Sequence, residues 1–551
     1  MKHSALVFTV FLGMLGGSEA SADARVDVCG KDVWPGDPRT DLSEALQIGG
    51  RITFACVGTI GFTRSHSLTR DMAIDGNGGI TLVGQGHRMF GMGSSLNPRI
   101  SFKAIRIEGG GVGPSGKPGG VISGEGRVAL LDGTSISNSQ QPIWIVAGEL
   151  RVLGARLVGN VGPVIVVSEG ALEISHGTLT DNTGLVVATG PTTRAKIHDT
   201  QFFRNGGLNL GGAAAQNCEV TITKSWFADN VVAENGGALY SRCKTTIEET
   251  QFERNRAGRD GGAIYLGIGA SASMRVVRFK ANLAAGSGGA VAGLWDINRQ
   301  GSLRIRHGRF EGNQAGIVGG AIIAGESSMV ELGASTFVEN AAPNAGGAVY
   351  VRQSPLVVSG SLFLRNRAKF GGAIKSFCMP AAAGRISNSI IANNVATYGG
   401  AYYGTHMTFL NATLVGNGGL PVRQGVACSD TSAIAFANTI IDGGWSGGCA
   451  GGDADLTFKD LGHNLQFPGR SCGPTITVAS PLLGLFFAPF RPFSPAGSAG
   501  DNALCRAPPI NGRDIFGAHR PQGSACSIGA VEGDLSQLID RFIDRLRGDR
   551  G

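Results

Sequence analysis

The sequence has no concentrated charge of either sign and, after its first 22 residues, no long hydrophobic run. It contains 48 Lys and Arg against 41 Asp and Glu, a formal net charge of +7. The arginines are scattered along the chain, whereas nucleic-acid-binding domains cluster their basic residues on one face. A membrane-spanning helix needs about 20 consecutive apolar residues. We therefore expect no nucleic-acid partner and no transmembrane span.

Strings that resemble catalytic or ligand-binding motifs are present, but each lacks part of its motif. Gly111–Lys117 spells a phosphate-binding loop, yet Pro118 stands where a Mg²⁺-binding Ser or Thr belongs. Gly444–Gly448 matches a nucleophile-elbow string that Cys449 follows, with no helix after it. Gly451–Asp455 resembles one calcium-binding repeat, but such sites need several copies. We predict no catalytic residues, no cofactor and no metal.

The N-terminus has the pattern of a secretory signal peptide. Lys2 and His3 precede the apolar run Ala5–Leu15, and the small residues Ala20 and Ala22 end two cleavage-site triplets. Residues 1–22 are therefore expected to be a signal peptide, and the mature protein is expected to be exported. Ten cysteines in an exported chain favour disulfides over metal or redox roles.

Two short motifs recur together through the middle of the chain. A Gly-Gly-Ala triplet appears eight times at intervals of 25–31 residues, which indicates stacked structural units. Its first glycines are Gly211, Gly236, Gly261, Gly288, Gly319, Gly346, Gly371 and Gly399. A Phe-x-x-Asn motif keeps step with the triplet and ends at Asn205, Asn230, Asn255, Asn282, Asn313, Asn340 and Asn366.

The spacing inside each repeat predicts one coil of a right-handed parallel β-helix. Apolar residues two apart, such as Val220 and Ile222, are typical of strands with one buried face. We expect three short strands and three corners in about 25 residues. The Asn is expected to form one corner, because Asn tolerates the left-handed conformation. The predicted class is all-β, with about 15 coils.

Identical positions of neighbouring coils lie about 4.8 Å apart in such a stack. Cys218 and Cys243 each follow their coil's first glycine by seven residues, so this register predicts a disulfide. Proximity within the two end regions predicts Cys29–Cys56, Cys449–Cys472 and Cys505–Cys526. Cys378 and Cys428 pair only by elimination, and we leave that pairing open.

The paired FxxN and GGA[ILV] motifs, over residues 157–417, resemble the passenger repeats of the chlamydial polymorphic outer-membrane proteins, which are β-helical adhesins. Pro481–Gly484, Ser494–Asn502 and Arg520–Glu532 resemble the C-terminal region of the exported "choice-of-anchor Q" β-helix proteins. Those resemblances imply an extracellular or outer-membrane-surface protein.

The predicted organisation has five parts. They are a signal peptide (1–22), an N-terminal cap (23–64), a parallel β-helix (65–427), a C-terminal capping region rich in Cys and Pro (428–533) and an amphipathic helical tail (534–551). Within the cap, Thr40 or Asp41 is expected to cap a helix over Leu42–Ile48. Asp534–Arg547 has apolar residues at helical spacing and is a candidate for partner docking.

Two features indicate ligand binding. Tyr240, Tyr265, Tyr350 and Tyr403 each follow the first glycine of their coil by four residues, at a position that the strand alternation points outward. They form either a binding strip for a glycan or protein, or an aromatic stack that stabilises the sheet. The longest repeat carries an insertion with Trp295, Asp296 and Arg299, and solenoid insertions often line a binding face.

The sequence favours a non-catalytic, adhesin-like surface scaffold. The alternative is a carbohydrate-active enzyme, because polysaccharide lyases and galacturonases share the β-helix fold. None of the galacturonase strings (Asn-Thr-Asp, Asp-Asp, Gly-His-Gly and Arg-Ile-Lys) occurs here. A histidine-centred site around His176 and His198 is the remaining catalytic candidate, although hydrogen-bonded surface histidines are commoner.

Overall fold

The computed structural model describes residues 23–93, 96–112, 118–210, 218–294, 301–325, 329–378, 384–424, 433–443, 448–450, 457–484, 487–489 and 493–532. The predicted signal peptide and the predicted tail helix lie outside these residues. The described strands form about 16 turns of a parallel β-solenoid, which confirms the predicted fold class. The chain divides into two units, Met1–Thr183 and Gly184–Gly551.

Unit 1 begins with the cap. Its helix α1, Leu42–Ile48, has the predicted bounds, and Asp41 is its N-cap residue. The Asp41 side chain accepts a hydrogen bond from the Glu44 backbone N–H at 2.9 Å, and the Glu44 side chain accepts one from the Asp41 N–H. The strands of unit 1 are β1 Ala24–Val26, β2 Gly30–Lys31, β3 Gly50–Phe54, β4 Gly58–Gly61, β5 His66–Leu68, β6 Met72–Asp75, β7 Ile80–Val83, β8 Phe90–Met92, β9 Arg99–Lys103, β10 Arg106–Glu108, β11 Ile122–Leu130, β12 Ser135–Ser137, β13 Ile143–Leu153, β14 Arg156–Val158, β15 Ile165–Ser175 and β16 Thr178–Thr180.

Three long strands of unit 1 each run across a bend at a glycine. In β11, β13 and β15, Gly126, Gly148 and Gly170 lie opposite one another. Each has a positive φ, and a Cβ on Gly148 would lie 1.9 Å from the Gly126 carbonyl oxygen. Because only glycine fits this conformation and this contact, the strands bend here without losing their pairing.

Unit 2 holds the regular repeats and one described helix, α2 Asn502–Arg506. Its strands are β17 Val187–Thr189, β18 Arg194–His198, β19 Gln201–Phe203, β20 Leu208–Leu210, β21 Glu219–Thr223, β22 Trp226–Ala228, β23 Val231–Val232, β24 Leu239–Ser241, β25 Lys244–Glu248, β26 Gln251–Glu253, β27 Arg256–Ala257, β28 Ile264–Leu266, β29 Ser271–Arg275, β30 Arg278–Lys280, β31 Leu283–Ala284, β32 Val291–Leu294, β33 Ser302–Arg306, β34 Arg309–Glu311, β35 Gln314–Ala315, β36 Ile322–Gly325, β37 Met329–Gly333, β38 Thr336–Val338, β39 Val349–Arg352, β40 Leu356–Ser359, β41 Leu362–Leu364, β42 Ile374–Phe377, β43 Gly384–Ser387, β44 Ile390–Ala392, β45 Tyr402–Gly404, β46 Met407–Leu410, β47 Thr413–Val415, β48 Val422–Gln424, β49 Ala433–Ala437, β50 Ile440–Asp442, β51 Cys449–Ala450, β52 Thr457–Asp460, β53 Leu465–Phe467 and β54 Thr477–Val478.

One coil of unit 2 contains the three predicted strands and a short fourth one. In the coil that starts at Gly236, β24 and β25 belong to one parallel sheet, sheet A, and β26 belongs to a second, sheet B. The added two-residue strand, β27, follows the Asn and pairs with β23 and β31. With β35 these strands form a third sheet, sheet C.

The predicted left-handed corner lies one residue earlier than expected. The residue before the Asn has a positive φ: 56° at Asp229, 52° at Arg254 and 56° at Glu339. The Asn itself is buried. The expectation that Asn supplies the left-handed conformation was wrong, because the Asn side chain has another task inside the solenoid.

The buried Asn side chains of successive coils form a continuous hydrogen-bonded ladder. The Asn255 side-chain oxygen accepts hydrogen bonds from the backbone N–H of Asn230 at 3.2 Å and from its side-chain amide at 2.8 Å. The Asn255 amide donates to the Phe227 carbonyl at 2.9 Å and to Asn282 at 3.0 Å. The same donor pattern continues through Asn313, Asn340, Asn366, Asn394 and Asn417. Each of these buried amides therefore finds its hydrogen-bond partners in the preceding and the next coil.

The Phe of the same motif forms the centre of the core. Successive rings are stacked with centroids 4.6–5.0 Å apart and planes within 9° of parallel. All are fully buried: Phe202, Phe227, Phe252, Phe279, Phe310, Phe337 and Phe363. The predicted inward direction of this column is confirmed.

Four predicted disulfides are present in the structure. Their Cα atoms lie 4.9–6.7 Å apart, within the range that a disulfide spans. They join Cys29 to Cys56, Cys218 to Cys243, Cys449 to Cys472 and Cys505 to Cys526. Cys378 is also disulfide-bonded. Cys428, with which we paired it by elimination, lies outside the described residues.

Parallel pairing continues beyond residue 427, the last residue that we assigned to the β-helix, and reaches β54. The described residues from 481 to 532, which we call the covering segment, then fold back along the outer side of sheet B. The Ala530 N–H donates to the Thr413 hydroxyl at 2.9 Å, and the Asn388 amide donates to the Arg513 carbonyl at 3.2 Å. The resulting apolar cluster joins Val338, Leu362, Leu364, Ile390 and Ala392 to Ala488, Ile515, Ala530 and Val531.

The Arg520–Glu532 string holds the covering segment in shape. Arg520 and Glu532 are both fully buried, with Nε and Oε2 3.8 Å apart. Arg520 donates to the Gly529 carbonyl at 2.7 Å, and Glu532 accepts from the Ser527 N–H at 2.6 Å. These residues thus have a structural role in the segment that covers sheet B.

Candidate functional site

The predicted tyrosines occupy one outward column of sheet A. Backbone pairing places Tyr240 opposite Tyr265, and Lys375 between Tyr350 and Tyr403. All four tyrosines are half-buried, while the residues on either side of them in their strands are buried. From Asn209 to Arg423 the column reads Asn209, Tyr240, Tyr265, Ala292, Ile323, Tyr350, Lys375, Tyr403 and Arg423. Ala292 and Ile323 divide the tyrosines into two groups.

The first group is a stacked pair with a guanidinium beside it. The Tyr240 and Tyr265 rings have centroids 5.2 Å apart and planes 14° from parallel. Arg242 donates from Nε to the Tyr240 hydroxyl at 2.8 Å. Gly267 leaves room for this arrangement, since a Cβ there would lie 2.8 Å from Arg242 Cγ. Burial raises the pKa of Tyr265 above that of a free tyrosine.

The second group surrounds a buried lysine. Lys375 is 8 % exposed, and its Nζ lies 4.3 Å from the centre of the Tyr403 ring. The ammonium donates to the Ser376 carbonyl at 2.8 Å. Burial lowers the pKa of Lys375 from 10.5 to about 8. The structure therefore places a weakly solvated cation between two tyrosines of the column.

Two further aromatic residues, which the sequence reasoning missed, extend this group around the corner. Phe370 and Tyr398 are stacked with centroids 5.3 Å apart, and Phe370 also lies 5.3 Å from Tyr403. The Arg423 guanidinium lies 4.4 Å from the Tyr398 ring centre. Phe370 and Tyr398 each directly precede a glycine pair, and this shared position could have been recognised in the sequence.

A surface cavity of about 400 Å³ lies next to this corner. Lys369 and Thr397, the residues before Phe370 and Tyr398, contribute to its wall. Its other lining residues are Gln314, Ala315, Ala341, Ala342, Pro343, Arg367 and Ala368. Aromatic rings, cations and a concave surface thus lie together around this corner.

The other site residues predicted from the sequence do not come together in a site within the described part of the chain. Trp295, Asp296 and Arg299 lie outside them, as do most of the phosphate-loop string and the calcium-like string. His198 shares a hydrogen bond with the Thr223 hydroxyl at 2.8 Å, and His176 with the Ser175 hydroxyl at 2.7 Å. Across the described ranges, no group of three or more His, Cys, Asp and Glu is arranged to hold a metal ion.

The helices α1 and α2 have seven and five residues, and neither is long and apolar enough to cross a membrane. Residues 249–267 match the Chlamydia polymorphic membrane protein repeat. This stretch contains one copy of each motif, the FERN that ends at Asn255 and the glycine pair at Gly261. The chain is thus similar to that repeat over part of one coil. No curated protein and no solved structure matches the chain.

Proposed function

We propose that this chain is an exported, non-catalytic surface β-helix that binds glycan or protein ligands, in the manner of an adhesin, through the tyrosine column of sheet A. The repeat match supports a passenger-like β-helix. The disulfides agree with an oxidising compartment outside the cytoplasm. The C-terminal resemblance to "choice-of-anchor Q" proteins supports the same location.

The observation that carries the proposal is the pairing of half-buried tyrosines with cations on the outer side of sheet A. A ring held on one side by its neighbours loses little conformational freedom when a ligand covers the other side. Tyr240 and Tyr265 meet this condition, because each ring stacks on the other and Arg242 fixes the hydroxyl. A hydroxyl and an aromatic face together suit ligands that are partly apolar and partly polar.

The test is the double variant Tyr240→Ser with Tyr265→Ser. The purified chain is applied to an array of oligosaccharides and to immobilised fibronectin, laminin and collagen. We expect the variant to keep its fold and to lose about tenfold or more in affinity for at least one ligand that the wild type binds, corresponding to about 1.4 kcal/mol. The control is Val231→Ser with Ile317→Ser, which alters exposed apolar residues, 58 % and 48 % accessible, outside the column.

Circular dichroism melts separate recognition from stability. If the column only stabilises the sheet, the double variant will unfold at lower temperature and lose binding in proportion. An unchanged binding curve on the folded variant would refute the proposed role of the column.

A further inference from the structure

Trp226 is the exposed tryptophan of the described residues, and it lies on sheet B, away from the tyrosine column. Its accessible fraction is 38 %. The half-buried Phe203 ring of the preceding coil lies 6.1 Å from it, with planes 36° apart. The Arg204 guanidinium lies 4.2 Å from the centre of the Phe203 ring. Ala228, the other outward residue of β22, is too short to cover the indole.

Two glutamines bracket this aromatic surface. Backbone pairing places Gln201 and Gln251 directly opposite Trp226, one coil to either side. Both side chains are exposed. Within the described residues, neither side-chain amide has a hydrogen-bond partner. Each amide offers two donors and one acceptor, about 4.8 Å along the stack from the indole.

In the coils that follow in unit 2, the outward residues of sheet B are paired with one another or covered. Arg278 pairs with Glu311 at 3.0 Å, and Lys280 lies 3.8 Å from Glu253. From Thr336 to Thr413 the outward residues are buried, several of them beneath the covering segment. The described surface around Phe203, Trp226 and the two glutamines therefore combines exposed aromatic area with hydrogen-bonding groups that the neighbouring coils do not use.

We propose that Phe203, Trp226, Gln201 and Gln251 form a binding site for an uncharged glycan chain. A pyranose ring presents an apolar face of C–H groups, which packs on an aromatic ring, and a rim of hydroxyls that both donate and accept hydrogen bonds. Side-chain amides match such hydroxyls because they too carry both functions. The flanking charges Arg254 and Asp229 pair with each other, with atoms 2.7 Å apart, whereas the two glutamines directly beside Trp226 are uncharged. This site is separate from the tyrosine column and does not depend on it.

The test is affinity electrophoresis of the full chain through gels that contain one soluble polysaccharide each. The neutral probes are hydroxyethyl cellulose, galactomannan, laminarin and dextran, and the charged probes are polygalacturonate and heparin. We expect retardation by at least one neutral polysaccharide that is unchanged between about 0.05 and 0.5 M NaCl, because uncharged ligands are not screened. Trp226→Ala should weaken it about tenfold, and Gln251→Ala should weaken it less.

Trp144→Ala is the matched control, since Trp144 is a half-exposed tryptophan on an outward position of unit 1. Tyr240→Ser with Tyr265→Ser should leave this binding unchanged, which separates this site from the proposed column. The proposal is overturned by retardation in heparin or polygalacturonate alone, by equal retardation of wild type and Trp226→Ala, or by no retardation in any neutral gel. Sedimentation that shows a dimer in the wild type and a monomer in Trp226→Ala would assign the surface to self-association and would also overturn it.

Discussion

The asparagine ladder allows the cost of one side chain to be worked out from its contacts. In Asn255→Ala, the buried N–H of Asn230 loses its acceptor, and the Phe227 carbonyl loses the amide that donates to it. The links to the side-chain amide of Asn230 and to Asn282 are lost as well. An orphaned buried donor costs about 1–3 kcal/mol, and each of the other hydrogen bonds contributes about 1 kcal/mol. We expect a loss of about 4–6 kcal/mol in the free energy of unfolding.

Arg254→Ala is the control for this prediction. Arg254 precedes Asn255 in the same corner, has a left-handed φ of 52° and makes two hydrogen bonds to Asp229. Its side chain is 46 % exposed, and exposed ion pairs contribute only about 0–1 kcal/mol. Both variants place alanine in the same turn, so the difference between them reports the ladder and not the backbone.

The assay is equilibrium urea unfolding followed by circular dichroism, with the disulfides intact. Hydrogen exchange of the same samples should show the loss of protection centred on β22, β26 and β30, because each coil contacts mainly its neighbours. A loss of less than about 1 kcal/mol for Asn255→Ala, or a loss equal to that of Arg254→Ala, would refute the reasoning that the ladder stabilises the stack.

Two other substitutions test separate parts of unit 2. Because burial lowers the pKa of Lys375 to about 8, the unfolded chain binds more protons than the folded chain between pH 8 and 10.5, so stability should rise with pH across that window. Lys375→Met should abolish this rise, which amounts to at most about 3 kcal/mol, and urea unfolding at about pH 7 and pH 9.5 measures it; an equal rise in the variant would contradict the assignment. Ile515→Ala should loosen the covering segment by about 2–4 kcal/mol, so that limited proteolysis cuts between residues 481 and 532 while the coils stay intact. Resistance of this variant to the protease, equal to that of the wild type, would show that Ile515 does not hold the segment.

The sequence predicted the repeat architecture because the recurring apolar residues of each coil mark the positions that point into the core. A Phe that recurs with the coil period has to stack on its counterpart, and Phe252 does so between Phe227 and Phe279. The same register placed Cys218 opposite Cys243 within bonding distance. The helix α1 was predicted from its capping residue, since the Asp41 and Glu44 pattern acts over four residues.

The tyrosine column was predicted from the alternation of inward and outward residues, but its environment was not. The contacts of Tyr240 and the burial that lowers the pKa of Lys375 involve side chains from other strands and corners, such as Arg242 and Tyr403. The residue pattern of a single strand does not show which side chains of other elements surround it. The same limit explains why Trp226 went unnoticed, since its exposure depends on the short side chain of Ala228 and on which part of sheet B the covering segment reaches.

By itself, the sequence determined the fold class, the coil register, the core columns and the four disulfides described above, because all of these follow from short-range periodicity and proximity along the chain. Only the tertiary structure showed that Asn255 belongs to the ladder and that Arg254, before it, has the left-handed backbone conformation. The sequence cannot distinguish an Asn whose side chain hydrogen-bonds to the next coil from an Asn that itself adopts the left-handed conformation. The tertiary structure also decided the route of the covering segment. Strands such as β41, with Leu362 and Leu364 facing outward, need a cover, but the chain that provides it lies more than 100 residues away, where no local pattern can specify the contact.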